Sequence, residues 1–275
     1  MTVEGTPSAD RQAVTGENPT FDTSVAHQAR MYDYLLGGKD NFAADREAGE
    51  AMIAAYPDTV AALRANRQFL RRVIRYLAGE AGIRQFLDIG TGIPTAPNVH
   101  QVAQEVAPES RVAYVDYDPV VLSYARALLT STPEGVTDYI DADLRKTDTI
   151  LDRAAGILDF SEPIAVTVLM TLHAIPDADD PHSVIGTIMQ AMPAGSYLAI
   201  THPAADIEAD RMADLRDRLN QVSFQQYTVR DHLDVARFFP GLEFVDPGLV
   251  PVSQWRPVVE TNQVIPVWTG VARKP

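Results

Sequence analysis

The sequence predicts an α/β protein in which a mostly parallel β-sheet is covered by helices on both of its faces. From Arg84 onward, short apolar runs alternate with longer stretches that carry apolar residues at helical spacing, and this alternation is typical of a parallel sheet. Two extended segments close the chain and lie near enough to each other to pair antiparallel at one sheet edge. The 275 residues, of which 46% are hydrophobic and 22% charged, suit one soluble domain with an extension.

Three helices are predicted ahead of the sheet. The first starts near Asp22, where apolar side chains begin to recur at steps of three and four, and it stops at two consecutive glycines, Gly37 and Gly38. The second begins after Asp40, which can cap it, and ends before Pro57. The third covers about residues 60–78. We therefore expect residues 1–20 to form a disordered arm, residues 21–80 a helical extension and residues 81–275 the sheet domain.

Five strands, separated by helices, are predicted before the closing antiparallel pair. The strands are QFLDI, RVAYVD, DYIDAD, PIAVTVLM and SYLAITH, and the closing pair is LEFVDPGLVPVS and QVIPVWTGVAR. The intervening helices are APNVHQVAQEVA, PVVLSYARALLTS, TDTILDRAAGIL and DPHSVIGTIMQAM, and a long helix follows over about residues 207–221.

Acidic side chains mark the ends of the first three strands. Asp88 closes the first strand, Asp116 closes the second, and Asp143 lies just beyond the third. The carboxyl ends of parallel strands meet at one edge of an open sheet, and ligands of such folds bind in the crevice there. The three carboxylates therefore indicate a binding site.

A loop with two glycines joins the first strand to the next helix. Gly90 and Gly92 let the backbone turn sharply and approach a ligand closely, and the free N–H groups of the following helix favour an anionic group. Downstream, Asp116 can accept hydrogen bonds from a ribose diol. The dinucleotide pattern G-x-G-x-x-G fails at Thr95. A nucleoside ligand without a pyrophosphate is therefore favoured, and a nicotinamide dinucleotide is the alternative.

Composition disfavours several other classes of function. The formal net charge of −14 argues against nucleic acid and anionic membranes as partners, since both require clusters of Lys and Arg. The chain has no Cys, which excludes thiol catalysis and disulfides, and we predict no metal because the His residues lack metal-ligand spacing. Without a signal-peptide pattern or an apolar run long enough to span a bilayer, we expect a cytoplasmic protein.

Several motifs resemble those of class I S-adenosylmethionine-dependent methyltransferases. These motifs are FLDIGTG, VAYVDYDPVVLSYAR, YIDADLR, VLMTLHAIPD and GLVPVSQWRP. Together with RMYDYLLGGKDNFAADRE they resemble, more narrowly, an actinobacterial family that was first a domain of unknown function and was later labelled S-adenosyl methyltransferase. The resemblance covers residues 23–275. It implies a Rossmann-like class I fold with a seven-stranded sheet, an N-terminal helical lid, and S-adenosyl-L-methionine as the cofactor of a methyl-transfer enzyme.

The resemblance also implies which residues bind the cofactor. The first motif places Asp88, Gly90, Thr91 and Gly92 around the methionine portion. The ribose-binding acid is Asp116, and the adenine is contacted by Tyr117, Asp143 and the following Leu144; Met170 meets the cofactor through its main chain. The sequence departs from the family pattern at Pro94, which stands where the third glycine of D-x-G-x-G-x-G is usual.

The segment YDYLLGGKDNF is the natural candidate for a lid over the methyl acceptor. It supplies three aromatic rings, two glycines that could act as a hinge, and two polar side chains; the candidates are Tyr32, Tyr34, Lys39, Asn41 and Phe42. A phosphate loop is rejected, because G-x-x-x-x-G-K-[ST] is not met. Aromatic rings could cover a sulfonium or the acceptor. The alternative is that the tyrosines simply pack on the sheet domain.

Two histidines follow predicted strands and are candidate bases. His173, after the fourth strand, could deprotonate a hydroxyl or amine acceptor, and His202, at the end of the fifth, is a second candidate. The alternative for each is a structural role. Methyl transfer needs in-line approach and exclusion of water more than acid–base chemistry, so positioning can supply much of the acceleration.

The leading hypothesis is an S-adenosylmethionine-dependent methyltransferase, monomeric or homodimeric, that acts on a small-molecule acceptor. Two alternatives remain open. One is a cofactor-binding regulatory module without turnover, since the carboxylates that bind the cofactor would be the same. The other is an NAD-dependent oxidoreductase, which Thr95 and the antiparallel closing pair disfavour.

Overall fold

The computed structural model of the chain describes residues 22–128, 130–222, 226–259 and 262–275. The predicted arm, residues 1–20, lies outside the described residues. The strands are β1 (Gln85–Ile89), β2 (Arg111–Asp116), β3 (Val136–Asp141), β4 (Ala165–Leu169), β5 (Tyr197–Pro203), β6 (Glu243–Phe244), β7 (Val250–Pro251) and β8 (Val267–Arg273).

Helices precede the sheet and separate its strands. They are α1 (Gln28–Leu35), α2 (Ala43–Ala55), α3 (Thr59–Arg75), α4 (Val99–Val106), α5 (Pro119–Leu128), α6 (Thr147–Ala154), α7 (Pro181–Ala191), α8 (Ala209–Val222) and α9 (His232–Ala236). A π-helical turn, Tyr76–Glu80, extends α3. None of the helices in the described ranges is both long enough and apolar enough to cross a bilayer.

The sheet has the predicted mostly parallel architecture. Its strand order is β3-β2-β1-β4-β5-β8-β6, with β7 also paired to β8. Neighbouring strands from β3 to β5 are parallel, whereas β8 runs antiparallel to its three partners. The strand order reverses between β1 and β4, and in open α/β sheets the ligand crevice lies at this point, beyond the carboxyl ends of the strands.

The antiparallel edge differs in detail from the prediction. The segment predicted as a single penultimate strand forms two short strands, β6 and β7, which pair with opposite ends of β8. Together they occupy the seventh position in the sheet. The last strand, β8, lies between this pair and β5. The short helix α9 was not predicted; the Asp231 side chain caps it by accepting a hydrogen bond from the Asp234 backbone N (2.8 Å).

The predicted cap of the second helix is wrong. Helix α2 begins at Ala43, and its first turn is closed by Asp45, whose Oδ2 accepts from the backbone N of Phe42 at 2.8 Å. The other oxygen of Asp45 accepts from the backbone N of His27 at 2.9 Å. One fully buried carboxylate thus joins the start of α2 to the start of α1. Asp40 instead donates its own backbone N–H to Asp33.

The side chains of β1 divide between two hydrophobic cores. All five residues of β1 are buried, as expected for a central strand covered on both faces. Leu87 and Ile89 belong to the core that includes α6 and α7, whereas Phe86 belongs to the core that includes α3 and α4. Burying a side chain of this kind contributes about 1.5–3 kcal/mol. These two cores fix the sheet edge on which the candidate site is built.

A third core lies beneath the N-terminal helices. It joins apolar side chains of α1, α2, the first half of α3 and α8. Helix α3 contributes Leu63 to this core and Phe69 and Val73 to a core of the sheet. The predicted extension is therefore packed against the sheet domain through α3, and the division of the chain at residue 80 stays a prediction.

Candidate functional site

The two carboxylates at the ends of β1 and β2 line the same cavity. Parallel pairing sets Asp88 opposite Tyr114 and Ile89 opposite Val115, so Asp116 lies one step further along the neighbouring strand. The cavity has a volume of about 630 Å³. All nine predicted cofactor residues line it: Asp88, Gly90, Thr91, Gly92, Asp116, Tyr117, Asp143, Leu144 and Met170.

The glycines of the loop after β1 adopt the left-handed backbone that favours glycine. The φ angles are 73° at Gly90 and 67° at Gly92. A Cβ at Gly90 would lie only 2.3 Å from the side chain of Thr171, whereas one at Gly92 would have only the Ala29 Cβ within 4 Å. Gly90 therefore allows close packing of the loop on the segment after β4, and Gly92 leaves the backbone open toward the cavity.

Asp116 holds this loop against the end of β2. Its Oδ2 accepts a hydrogen bond from the Gly92 backbone N at 2.8 Å, and its Oδ1 accepts from the backbone N atoms of Tyr117 (2.8 Å) and Asp118 (3.0 Å). Burial raises the pKa of the Asp116 carboxyl, and the N–H donors oppose this effect. The carboxylate is thus preorganised with its oxygens fixed at the cavity wall.

Asp88 is the more strongly perturbed of the two carboxylates. Its side chain is buried, and Thr167 Oγ1 donates a hydrogen bond to its Oδ1 at 2.5 Å. Burial raises the pKa of Asp88 to about 6, although the Thr167 bond and the nearby Arg67 act in the opposite direction.

Pro94 stands where the family pattern usually has a third glycine, and the loop just after it is held by an arginine that sequence patterns do not predict. Arg67 of α3 donates to the carbonyl oxygens of Thr95 and Pro97, the latter at 2.7 Å. Helix α4 then begins at Val99. The Asn98 backbone N donates to Gln101 Oε1 at 2.7 Å, and the His100 backbone N in the first turn donates to the Tyr114 hydroxyl at 2.9 Å. The expectation that free N–H groups of this helix face the ligand is therefore corrected in part, because the N–H group of His100 is already bonded within the protein.

Asp143 is paired with another unpredicted arginine. Arg145 Nε donates to Asp143 Oδ1 at 3.0 Å, and Arg145 Nη1 reaches Asp179 Oδ2 at 2.8 Å. The hydrogen bonding of the Arg145 side chain to Asp143 is the main reason that the pKa of Asp143 is lowered. Since Arg145 and Asp179 also line the cavity, the bridge fixes the Asp143 carboxylate at the cavity wall.

Met170 is held in place by a chain of buried polar groups that ends in the lid. Its φ of 51° is unusual for a residue with a side chain. Its backbone N donates to Thr201 Oγ1 (2.9 Å), and Thr201 donates to Asn66 Oδ1 (2.8 Å). Asn66 Nδ2 donates in turn to the hydroxyl of Tyr32 (3.2 Å), which donates to the Leu63 carbonyl oxygen (3.4 Å).

Only one of the five predicted lid side chains lines the cavity, and it is Tyr32. The Tyr34 hydroxyl donates to Glu50, and the Asn41 amide donates to Asp33 Oδ2 at 2.9 Å. The Phe42 ring centroid lies 5.4 Å from the Arg30 guanidinium carbon. Lys39 is exposed. None of these four side chains lines the cavity. Tyr32 and Tyr34 are two residues apart on α1, so they point to different sides of the helix.

The loop that contains Gly37 and Gly38 is packed around the side chain of Asp33. Asp33 accepts hydrogen bonds from the Asp40 backbone N (2.8 Å) and from Asn41, so it closes the loop between α1 and α2. A Cβ on Gly38 would lie 1.9 Å from Asp33 Oδ1. The loop is therefore a packed turn around one buried carboxylate.

His27 joins the lid to the cofactor side of the cavity, which sequence patterns did not predict. Its Nδ1 lies 2.8 Å from Asp118 Oδ2, and its ring meets the Tyr117 ring edge-on with centroids 5.8 Å apart. Burial tends to raise the pKa of Asp118, but His27 and the Val120 backbone N outweigh it and leave that pKa lowered. The backbone N of Asp118 also donates to Asp116 Oδ1. Asp118 therefore links His27, at the start of α1, to the predicted ribose-binding acid.

The two candidate bases occupy different environments. His173 lines the cavity, packs on the Tyr227 ring with centroids 4.8 Å apart, and has a buried Nδ1 with no hydrogen-bond partner among the described residues. Burial, with a further contribution from Arg230, lowers its pKa to about 3. His202 is fully buried outside the cavity lining, with Nδ1 2.9 Å from the Pro203 carbonyl oxygen and Nε2 2.7 Å from Arg230 Nη1. Both ring nitrogens of His202 are engaged within the protein, which favours the structural alternative for this residue.

Arg230 is a buried arginine that organises the segment carrying His173. It donates to the carbonyl oxygens of Leu172 (3.0 Å) and Ile175 (2.8 Å) and pairs with Asp177 at 2.7 Å. The same guanidinium bonds His202 on β5. Within the described ranges, no group of three or more His, Asp or Glu side chains lies close enough together to hold a metal ion.

Comparisons with known proteins agree with this geometry. The family described as S-adenosyl methyltransferase matches residues 14–275. A DUF574 family protein from Streptomyces avermitilis is 44% identical, with a TM-score of 0.89 over 92% of this chain and 99% of that one. A candidate methyltransferase from Thermobifida fusca is 37% identical, with a TM-score of 0.85 over 92% of this chain and 96% of that one.

A more distant structure shows the fold alone. Human N-acetylserotonin methyltransferase in complex with SAM is 14% identical, with a TM-score of 0.50 over 91% of this chain and 63% of that one. A search of curated proteins found no match. The sheet with its antiparallel edge, the cavity at the strand ends and the match over nearly the whole chain lead to one assignment. The chain belongs to the S-adenosyl methyltransferase family, with the class I methyltransferase fold and S-adenosylmethionine as its cofactor.

Proposed function

We propose that the protein transfers the methyl group of S-adenosylmethionine to a small-molecule acceptor that binds beside His173, beneath the N-terminal helices. One observation carries the proposal. A single cavity joins the carboxylates at the strand ends to a largely apolar space under the N-terminal helices. The cavity volume of about 630 Å³ lies within the range of about 300–1,000 Å³ usual for small-molecule sites.

The residues at the strand ends fit the cofactor. Asp116 presents a fixed carboxylate for the ribose hydroxyls, and the exposed ring of Tyr117 beside it can cover the adenine. Asp88 offers a buried carboxylate to the ammonium of the methionine portion, next to the open backbone of Gly92. Asp143, oriented by Arg145, can accept a hydrogen bond from the adenine amino group. When bound, S-adenosylmethionine supplies an electrophilic methyl group on a positively charged sulfur.

The role proposed for His173 is to orient the acceptor. A pKa of about 3 keeps its imidazole neutral near neutral pH and makes it a weak base. It can therefore accept a hydrogen bond from an O–H or N–H group of the acceptor and hold that group in line, but it does not remove a proton ahead of transfer. Catalysis then rests on positioning the acceptor in line with the methyl group rather than on proton transfer.

Calorimetry on the cofactor and on one carboxylate variant tests the binding half of the proposal. We expect micromolar affinity for S-adenosylmethionine and S-adenosylhomocysteine and none for NAD. Asp116→Ala should weaken binding by about 2–3 kcal/mol, which is about 30- to 150-fold. Asp141→Ala is the matched control, because exposed Asp141 pairs with Asp116 in the β2–β3 register but does not line the cavity. Equal losses in the two variants would contradict the ribose assignment.

Methyl incorporation tests the catalytic half. Labelled S-adenosylmethionine incubated with a metabolite extract should transfer label to a small molecule, and His173→Ala should reduce this transfer more than it reduces cofactor affinity. Cofactor binding with no transfer across a wide acceptor panel would favour the binding module without turnover.

A further inference from the structure

We infer that the acceptor is an uncharged, largely apolar small molecule with a hydrogen-bonding group that meets His173. The inference rests on the proposed function and narrows the class of substrate. It concerns the part of the cavity that lies beneath the lid, which we call the acceptor chamber. Its walls are Met31, Leu35, Met52, Leu63, Leu219 and Tyr227.

The acceptor chamber lies inside a hydrophobic core. All six wall residues belong to the third core, and each is at most 9% exposed. They come from α1, α2, α3, α8 and the segment after α8. Protein interiors are normally filled to crystal-like density, and a void among Leu and Met side chains stays dry. A void retained in this core is therefore suited to an apolar guest, which gains free energy by leaving water.

Two polar side chains that border the acceptor chamber, Tyr32 and Asn66, are already hydrogen-bonded within the protein. The hydroxyl of Tyr32 and both ends of the Asn66 amide bond each other, Leu63 and Thr201, as described above. In contrast, His173 packs on the wall residue Tyr227 and has a nitrogen without a partner among the described residues. Among Tyr32, Asn66 and His173, it is thus His173 that is left to recognise a polar group of the guest.

Charge is confined to the cofactor end of the cavity. Arg67 is bound to two carbonyl oxygens, and Arg145 is paired with Asp143 and Asp179. None of the six chamber walls is ionisable near neutral pH. A carboxylate or ammonium on the acceptor would be buried without a partner there, and burying an unpaired charge is costly.

Three probes of one shape test the charge preference. Calorimetry is run on protein saturated with S-adenosylhomocysteine, titrated with 2-naphthol, 2-naphthoate and 2-naphthylmethylammonium. We expect 2-naphthol to bind about tenfold or more tightly than either ion. Equal or tighter binding of an ion, or no binding of 2-naphthol, would overturn the inference.

Two substitutions on one helix test the location. Leu219→Phe places a larger side chain in the void, so it should weaken 2-naphthol binding by about tenfold and leave the melting temperature unchanged or higher. Leu215→Phe is the control, because Leu215 belongs to the same core but does not line the cavity. It should overpack the core and lower the melting temperature, with 2-naphthol affinity in the folded protein unchanged. The reverse pattern would place the guest elsewhere.

The cofactor titration separates this inference from the proposed function. If S-adenosylhomocysteine binds but the charged probes bind as well as 2-naphthol, the acceptor class is wrong and the methyltransferase assignment stands. If S-adenosylhomocysteine does not bind and 2-naphthol still does, the proposed function fails while the apolar chamber is confirmed.

Discussion

At the scale of single residues, Asp88 is a carboxylate whose burial lowers the stability of the folded protein. Its pKa is raised to about 6 by burial, whereas an aspartate in an unfolded chain titrates near about 3.9. The folded protein therefore binds a proton more tightly than the unfolded chain does. It follows that the free energy of unfolding falls as pH rises through the window between about 4 and about 6. A buried ionised acid is expected where binding matters more than stability.

Replacing this acid should stabilise the cofactor-free protein. We predict that Asp88→Asn raises the free energy of unfolding at about pH 8 by about 1–3 kcal/mol, because the charge no longer has to be buried. The gain should vanish below about pH 4, where the wild-type carboxyl is protonated in both states. Urea denaturation at several pH values measures this, and calorimetry should show weaker cofactor binding. A difference independent of pH would contradict the buried-charge explanation.

At the scale of elements, the segment between β4 and α7 owes its shape to Arg230. The guanidinium lies between this segment and β5 and satisfies two carbonyl oxygens of the segment. It also lies near both His173 and His202, and its positive charge contributes, after burial, to lowering the pKa of each. One buried arginine thus holds the path of the backbone and adds to the effect of burial in keeping the imidazole in the cavity neutral.

Removal of Arg230 should change both the stability of the protein and the pKa of His173. We predict that Arg230→Met lowers the free energy of unfolding by about 2–4 kcal/mol, since it leaves buried carbonyl oxygens without donors. In the folded variant, the pKa of His173 should rise, as followed by NMR of its ring. The control is Arg237→Met. Exposed Arg237 pairs with exposed Asp234, so the change should stay within about 0.5 kcal/mol. Loss of stability without a change in the His173 pKa would limit Arg230 to a structural role.

At the scale of the whole molecule, the sheet and the cofactor edge could be predicted from the sequence. The alternation of apolar runs and helices identifies parallel strands, and their carboxyl ends must share one edge, so Asp88, Asp116 and Asp143 could be placed without coordinates. The same argument fails for the edge formed by β6 and β7, because strands of two residues carry no periodic signal.

Other parts of the site depend on tertiary contacts that leave no local pattern. Arg230 and Arg67 look like ordinary solvated arginines in the sequence, and only the fold shows that they bond carbonyl oxygens of distant loops. The lid motif is distinctive, but its aromatic residues could not be assigned to the cavity before the facing side of α1 was known. Helical spacing could have separated Tyr32 from Tyr34, since two residues apart on a helix cannot share a face.

The arrangement of the three cores couples the lid to the cofactor. Helix α2 packs mainly on α1 and α8, and helix α1 packs on α2 and α3. The start of α1 meets the cofactor edge through His27, which contacts Asp118 and Tyr117. A ligand held by Asp116 and Tyr117 would therefore stabilise this contact. By thermodynamic linkage, breaking the contact should weaken the binding of that ligand.

We predict that His27→Ala weakens S-adenosylhomocysteine binding by about three- to tenfold, because it removes one partly buried polar contact from the bound state. Amide hydrogen exchange should show that the ligand protects residues 28–55 in the wild type and protects them less in the variant, although both proteins remain folded. His232→Ala is the matched control, because His232 packs on Trp268 and does not line the cavity. Undiminished protection of residues 28–55 in His27→Ala would mean that the lid closes independently of this contact, through the apolar side chains of the third core alone.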